Sequence, residues 1–169
     1  KKNKIKNICI DTEGAQIRTT LCKKKYFLKK NKIIKIYNDN KYSNDKNISL
    51  YPEFNIRSIK KNSIIQIGFY NLSLKVLSKP KEKKFILCKV IKSGHLESKK
   101  GVHIDTNVNL PALTNKDIYA LKLANKFKIK YFAISFVNSH EDIKKVKSII
   151  GNNKFIISKI ETKKALINL

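Results

Sequence analysis

From residue 114 onward the sequence alternates between helical and extended patterns with very short connections, and this alternation limits the fold more than any other feature. Thr114 followed three residues later by Asp117 predicts a helix start with a capping box. The apolar residues that then recur at helical spacing are Ala120, Leu121, Leu123, Ala124 and Phe127. The run at 129–136 is extended and apolar, which predicts a strand after this helix.

A second helix and strand repeat this pattern. Ser139 is a helix N-cap residue, and Glu141 and Asp142 place negative charge in the first turn, where the helix dipole favours it. The predicted buried stripe is Ile143, Val146, Ile149 and Ile150, with Gly151 as terminator and a strand at 155–161. Such short connections predict a right-handed parallel β/α array, whose binding sites lie at the carboxyl ends of the strands.

The last of these strands ends in two charged residues, Lys159 and Glu161. Side chains on a strand alternate between faces, so these two are expected to point the same way. One interpretation is a structural ion pair. The other is a site that handles phosphate and metal, and the position at a strand end favours it.

The rest of the chain shows a different pattern, of short extended segments separated by turns. A short strand at 8–10 precedes a turn at 11–14 and a second extended run at 15–20. Short strand candidates then follow at 26–28, 33–37, 64–67, 72–77 and 85–91, and the segments 38–47, 78–84 and 92–101 are expected to be turns or flexible surface loops. Repeated short strands of this kind predict a small all-β sandwich or barrel.

The formal net charge of +26 raises the question of a nucleic-acid partner. Arg18 and Arg57 are the two arginines, and lysines are dispersed along the whole chain beside many Ile and Asn residues. A/T-rich codon usage explains this pattern, whereas a nucleic-acid surface concentrates its charge and uses arginine. We therefore expect no nucleic-acid partner.

No segment is apolar enough over about 20 residues to cross a membrane, so no membrane partner is expected either. Cys9, Cys22 and Cys88 lack metal-binding spacing and are expected to be buried free thiols in a reducing compartment. We expect a cytoplasmic protein, with an organellar location left open.

Three separated blocks of the sequence resemble pyruvate kinase. Residues 11–19 (DTEGAQIRT) look like the family's DTKGPEIRT segment. Residues 100–102, 110–113 and 116–117 together are similar to its KGV, LPA and KD motifs. Residues 132–137 (FAISFV) and 157–161 (ISKIE) resemble its barrel-strand motifs. The blocks occur in the family's order, so the resemblance spans both ends of the chain.

The resemblance implies a partial (β/α)₈ TIM barrel interrupted by a small all-β barrel domain. Residues 1–17 would carry the third barrel strand, 18–102 the inserted lid domain, and 103–169 the continuation from helix 3 to the start of helix 5. The first two and last three barrel strands would be absent. The chain is therefore expected to be a fragment, inactive alone, of an enzyme that is usually a homotetramer.

The implied glycolytic reaction transfers the phosphoryl group of phosphoenolpyruvate to ADP, giving pyruvate and ATP. By resemblance, Lys159 is the catalytic lysine and Glu161 a ligand of Mg²⁺ or Mn²⁺. Asp11 and Thr12 correspond to ligands of K⁺, and Arg18 to the arginine that contacts nucleotide phosphate. Ser135 and Phe136 correspond to the pair that lines the substrate pocket.

Several positions depart from the family pattern. Glu13 and Ala15 replace a lysine and a proline beside the site, and Asn138 replaces a basic residue. These departures keep a second hypothesis open, a catalytically impaired homologue with a binding or regulatory role. A third hypothesis is a basic nucleic-acid-binding β domain fused to an unrelated α/β segment.

Overall fold

The computed structural model describes residues 7–78, 85–106 and 108–168. The chain divides into two compact units. One combines Lys1–Ala15 with Pro111–Leu169, and the other is Gln16–Leu110. We call them the α/β unit and the β unit.

The α/β unit contains strands β1 (Cys9–Asp11), β11 (Tyr131–Ile134) and β12 (Phe155–Ser158), and helices α1 (Asn115–Lys126), α2 (His140–Ile150) and α3 (Lys163–Ile167). The β unit contains β2 (Arg18–Thr19), β3 (Tyr26–Leu28), β4 (Ile33–Tyr37), β5 (Asn47–Tyr51), β6 (Ile64–Ile67), β7 (Leu72–Ser78), β8 (Phe85–Lys92), β9 (Gly94–Leu96) and β10 (Val102–Ile104). A short 3₁₀ helix spans Ile56–Ser58.

The α/β unit is built on a three-stranded parallel sheet in the order β1-β11-β12. Helices α1 and α2 precede β11 and β12, as the alternating pattern predicts. Phe132 on the central strand is fully buried, and Leu121, Val146 and Ile150 of the helices belong to the same apolar core. Because all three strands are parallel, their carboxyl ends lie at one edge of the sheet.

Both predicted helix starts are confirmed. The Thr114 hydroxyl accepts from the Asp117 amide, and the Asp117 carboxylate accepts from the Thr114 amide. At α2 the Asp142 carboxylate accepts from the Ser139 amide. Gly151 ends α2 at φ 86°.

The predicted apolar face of α1 is partly wrong. Leu121 and Ala124 are buried, but Leu123 is 41% exposed and Phe127 is 70% exposed. Phe127 is the C-cap of the helix, where the chain leaves helical geometry. A ring at that position no longer follows the helical spacing on which the prediction relied.

The β unit is a seven-stranded sheet in the order β10-β6-β7-β8-β4-β5-β2, together with a two-stranded sheet formed by β3 and β9. The sheet is nearly closed, because Thr19 on β2 exchanges backbone hydrogen bonds with Lys99 and Lys100, just before β10. Burial alternates residue by residue along β4, β6 and β8. The inward residues form one apolar core, so the predicted strands at 26–28, 33–37 and 64–67 are confirmed.

Three strands of the β unit were not predicted as strands. β5 starts at Asn47, inside the expected loop, and β9 lies within the expected turn at 92–101. β10 spans the expected domain boundary between residues 102 and 103, where no strand was predicted. The loop before β5 is ordered by its own polar groups, since the Asn44 side chain accepts from the Lys46 and Asn47 amides. Residues 79–84 of the turn expected at 78–84 lie outside the described residues.

Gly94 explains how the short strand β9 fits into the unit. A Cβ atom at this position would lie 2.2 Å from the Asn71 backbone oxygen. Only glycine allows backbone to approach so closely. The close approach therefore depends on a residue that the sequence pattern indicated as a turn former.

The three cysteines are free, but only Cys88 is buried, so the prediction of buried thiols is wrong for the exposed Cys9. Within 7–78, 85–106 and 108–168 no helix has the length and apolarity to cross a membrane.

Candidate functional site

Three segments meet at the carboxyl edge of the parallel sheet. Asp11 and Thr12 stand at the end of β1, Ser135 and Phe136 follow β11, and Lys159 follows β12. The parallel register aligns Asp11 with Ala133 and Ile134 with Ser158, so the strands end at nearly the same level. Backbone hydrogen bonds from Thr12 to Ala133 and from Lys159 to Ile134 continue the ladder past the ends.

Ser135 joins the turns after β1 and β11. Its backbone amide donates to Thr12 Oγ1 over 2.9 Å, and its hydroxyl donates to the Thr12 backbone oxygen. The same hydroxyl lies 3.4 Å from Asp11 Oδ1. Thr12 is 5% exposed and Ser135 is 3% exposed, so these polar groups are buried and satisfied by each other.

Lys159 points toward the turn after β1. Its Nζ lies 2.8 Å from Asp11 Oδ1, and its side chain is 30% exposed. The hydrogen bond to Asp11 raises the pKa of Lys159 above its ordinary value, and the negative charge of Glu161 adds to this effect while partial burial opposes it. The ammonium is therefore held in place as a positive charge at the strand ends.

Glu161 is held by a different contact. Its Oε2 accepts from the Phe136 backbone amide over 3.0 Å. Phe136 has φ 56°, a left-handed backbone conformation that is uncommon for a residue other than glycine. β12 ends at Ser158, so Lys159 and Glu161 lie beyond the strand whose alternation predicted that they point the same way. Their side chains contact different turns.

Gly14 packs directly against the turn that contains Phe136. It has φ 67°, and a Cβ atom there would lie 2.7 Å from Phe136 Cδ2 and 3.0 Å from Ser135 Cβ. Both the backbone conformation and the close packing call for glycine at this position. The turn after β1 therefore supports the turn that holds Glu161.

Sequence reasoning missed a second anchor of the turn after β1. The Glu13 amide donates to Asp117 Oδ1 over 2.9 Å, and Asp117 is 2% exposed. The Glu13 carboxylate accepts from Lys116 Nζ over 2.7 Å. The KD motif at 116–117 was the available signal, but it indicated only a helix start.

The structure also joins the turn after β11 to the segment that follows Glu161. The Asn138 side chain donates to the Phe136 backbone oxygen, and its oxygen accepts from the Thr162 hydroxyl. In the sequence, Asn138 stands out only as a departure from the family pattern. Its amide bonds to both segments, donating to one and accepting from the other.

Arg18 lies in the β unit, on β2. Its Nη1 donates to the Lys99 backbone oxygen over 3.3 Å. It shares this strand with Thr19, which pairs with Leu50 of β5. The structure thus groups six of the seven predicted site residues in the α/β unit and places the seventh in the β unit.

The chemistry of the grouped side chains is compatible with cations bound through oxygen. Asp11 and Glu161 provide carboxylates, and Thr12 provides a backbone oxygen and a hydroxyl. Within the described part of the chain, no three His, Cys, Asp or Glu side chains are clustered closely enough to form a metal site by themselves. A divalent ion at Glu161 would need further oxygen ligands besides this carboxylate.

Parallel strands linked by helices, with charged groups at their carboxyl ends, define the α/β unit as a parallel β/α array, a class of fold in which ligand sites generally lie at that edge. The family profile described as "Pyruvate kinase, barrel domain" matches residues 1–169. The chain therefore belongs to the pyruvate kinase family.

Relatives named pyruvate kinase cover the whole chain. It is 33% identical to the protein of Methanocaldococcus jannaschii over an alignment of 172 residues, which covers 99% of the chain and 36% of that protein. Identity to the Dictyostelium discoideum protein is 30% over 99% of the chain and 35% of the relative. The Thermotoga maritima protein is 30% identical over 100% of the chain and 37% of its own length. The chain thus spans about a third of the length of these relatives.

Proposed function

We propose that this chain carries the phosphoryl-transfer site of a pyruvate kinase. In the reaction, the bond between phosphorus and the enol oxygen of phosphoenolpyruvate breaks and a bond to the terminal phosphate of ADP forms. The enolate then takes up a proton to give pyruvate. The observation that carries the proposal is the grouping of Lys159, Asp11 and Glu161 at one sheet edge.

Lys159 is the catalytic group in this proposal. Phosphoryl transfer depends mainly on positioning and on neutralising charge that develops on oxygen. The Asp11 carboxylate keeps the Lys159 ammonium protonated and aimed along one direction, which suits a fixed positive charge beside the transferred group and the enolate oxygen.

Glu161 would hold a divalent cation, Mg²⁺ or Mn²⁺, through its carboxylate. Asp11 and Thr12 would hold K⁺ through carboxylate and backbone oxygen. When bound, these ions supply positive charge that neutralises phosphate oxygens. The chain's own contribution is orientation, since the Phe136 amide fixes one Glu161 oxygen and Ser135 fixes the position of Thr12.

Three further residues complete the proposed substrate contacts. Arg18 would contact the phosphates of the nucleotide, and Ser135 and Phe136 would line the phosphoenolpyruvate pocket. The backbone of the turn after β11 could then contribute to both metal orientation and substrate contact.

The proposed context is a (β/α)₈ barrel in which residues 1–17 and 103–169 contribute strands and helices and 18–102 form a lid. The parallel register of β1, β11 and β12 supports this context. A homotetramer and a cytoplasmic location belong to the same proposal.

The test is pyruvate formation from phosphoenolpyruvate and ADP by the whole protein that contains this chain, with and without K⁺. Lys159→Ala is expected to lower kcat by roughly 100-fold or more, the usual effect of removing one preorganised electrostatic group. Lys145→Ala is the matched control, because Lys145 is an exposed lysine on α2. The 169-residue chain alone is expected to make little or no pyruvate.

Retained activity in the Lys159→Ala protein would contradict the assigned role. A folded whole protein that makes no pyruvate would instead favour the impaired homologue, in which the same residues bind ligands without turnover. One observation favours that alternative. Glu13 is acidic where the family pattern has a lysine, and its carboxylate is paired with Lys116.

A further inference from the structure

One outward face of the β unit combines lysines with aromatic rings. We call it the lysine–aromatic face, and it consists of Lys35 and Tyr37 on β4, Lys75 on β7, and Phe85 and Lys89 on β8. The residues that alternate with them on these strands point inward and are buried. Strand alternation thus places these five side chains on one side of the sheet.

Strand register brings these side chains into adjacent rows. Lys89 is the direct partner of both Ile33 and Lys75. Lys35 is paired with Leu87, and Tyr37 with Phe85. Ile33 is 49% exposed, so apolar surface is available beside the lysines.

The Lys75–Lys89 pair is unusual in a stable sheet. Like charges directly opposite each other on neighbouring strands are destabilising. β4, β6, β7 and β8 contain no acidic residue, and within the described residues neither lysine forms an ion pair with a carboxylate. An anion bound between the two ammonium groups would relieve their repulsion.

The aromatic part of the face lies next to these charges. The Tyr37 and Phe85 rings have centroids 5.3 Å apart, and Lys35 Nζ lies 5.0 Å from the Phe85 ring centroid. Both rings are half-buried, so each keeps accessible surface. Rings beside lysines on an exposed sheet face are a combination that holds single-stranded nucleic acid, by stacking bases and neutralising phosphates.

We propose that the lysine–aromatic face binds single-stranded nucleic acid, with phosphates at Lys35, Lys75 and Lys89 and a base against Tyr37 and Phe85. This site is independent of the phosphoryl-transfer proposal. The expectation of no nucleic-acid partner rested on the dispersal of lysines along the sequence. Folding gathers three of them on one face, which sequence spacing does not reveal.

The test is fluorescence anisotropy of a labelled 12-nucleotide oligothymidylate titrated with the 169-residue chain at several salt concentrations. The variant Lys35→Ala/Lys75→Ala/Lys89→Ala is expected to weaken binding at least tenfold. The slope of log K against log[salt] for this variant is expected to be less steep by about 2, because each neutralised phosphate of a single strand contributes about 0.7 and three lysines are removed. The matched control is Lys122→Ala/Lys145→Ala/Lys147→Ala, which removes the same charge from exposed positions on α1 and α2.

A separate variant tests stacking. Tyr37→Leu keeps an apolar side chain but removes the ring, and is expected to weaken oligothymidylate binding about tenfold while leaving binding of inorganic polyphosphate unchanged. Equal losses in the two triple-lysine variants would overturn the proposal, because the binding would then follow total charge. No effect of Tyr37→Leu, or no measurable binding by a chain shown to be folded by circular dichroism, would also overturn it.

Discussion

Replacing Asp117 with alanine is expected to destabilise the α/β unit through two separable contributions. One oxygen of the Asp117 carboxylate accepts from the Glu13 backbone amide over 2.9 Å. The other oxygen accepts from the Thr114 amide and hydroxyl. At 2% exposure, water cannot replace it. Loss of the long-range bond from Glu13 is expected to cost about 2 kcal/mol, since hydrogen bonds to charged groups contribute roughly 1.5–3 kcal/mol. Loss of the helix cap adds about 1 kcal/mol.

The two contributions can be separated with a second capping residue. Asp142 accepts from the Ser139 amide at the start of α2, and its other contact, the Asn138 amide, is also local. Asp142→Ala should therefore lose about 1–2 kcal/mol for a local cap without loosening the turn after β1. Asp117→Asn keeps one acceptor oxygen and is expected to lie between the native chain and Asp117→Ala in stability.

Urea unfolding followed by circular dichroism would give the free energies, and amide hydrogen exchange would locate the effect. The Glu13 amide should lose protection in Asp117→Ala and keep it in Asp142→Ala. If Glu13 protection is the same in both variants, the bond to Asp117 does not hold this turn and the reasoning fails.

Three other perturbations have expected outcomes. Gly14→Ala should lower the free energy of unfolding by about 2–4 kcal/mol, through positive φ and overpacking. At Gly151 a Cβ atom meets nothing within 4 Å, so Gly151→Ala should lower it by about 1–2 kcal/mol, for the backbone conformation alone. Equal losses in urea unfolding would refute the packing argument. Burial raises the pKa of Cys88 from 9.0 to about 12, so its neutral thiol stabilises the native state below pH 9 and this contribution is lost as the pH rises from 9 to about 12. Cys88→Ala should flatten this part of the stability curve, and an unchanged slope would contradict the assignment. Asp11→Asn should lower the pKa of Lys159, because it removes the charged acceptor that raises this pKa. NMR titration of the Lys159 side chain would measure the shift. An unchanged pKa would mean that the ion pair is absent in solution.

Much of the α/β unit could be predicted because its signals are local. A helix start depends on residues three positions apart, as with Thr114 and Asp117, and a buried parallel strand is a short apolar run. The strand ends were less accurate, since 155–161 was expected and β12 ends at Ser158. The short strand β9 was missed because its Gly94 and the polar residues around it indicate a turn, and because its pairing with β3 comes from distant parts of the chain.

The sequence by itself determined the alternation of helices and strands, the identity of the residues at the strand ends and the family to which they point. Tertiary structure alone decided which side chains meet. Lys159 pairs with Asp11, and Asp117 reaches the turn after β1. Three lysines separated along the chain become neighbours on β4, β7 and β8. The physical reason is that local patterns follow backbone geometry, whereas contacts between distant residues depend on register and packing across the sheet.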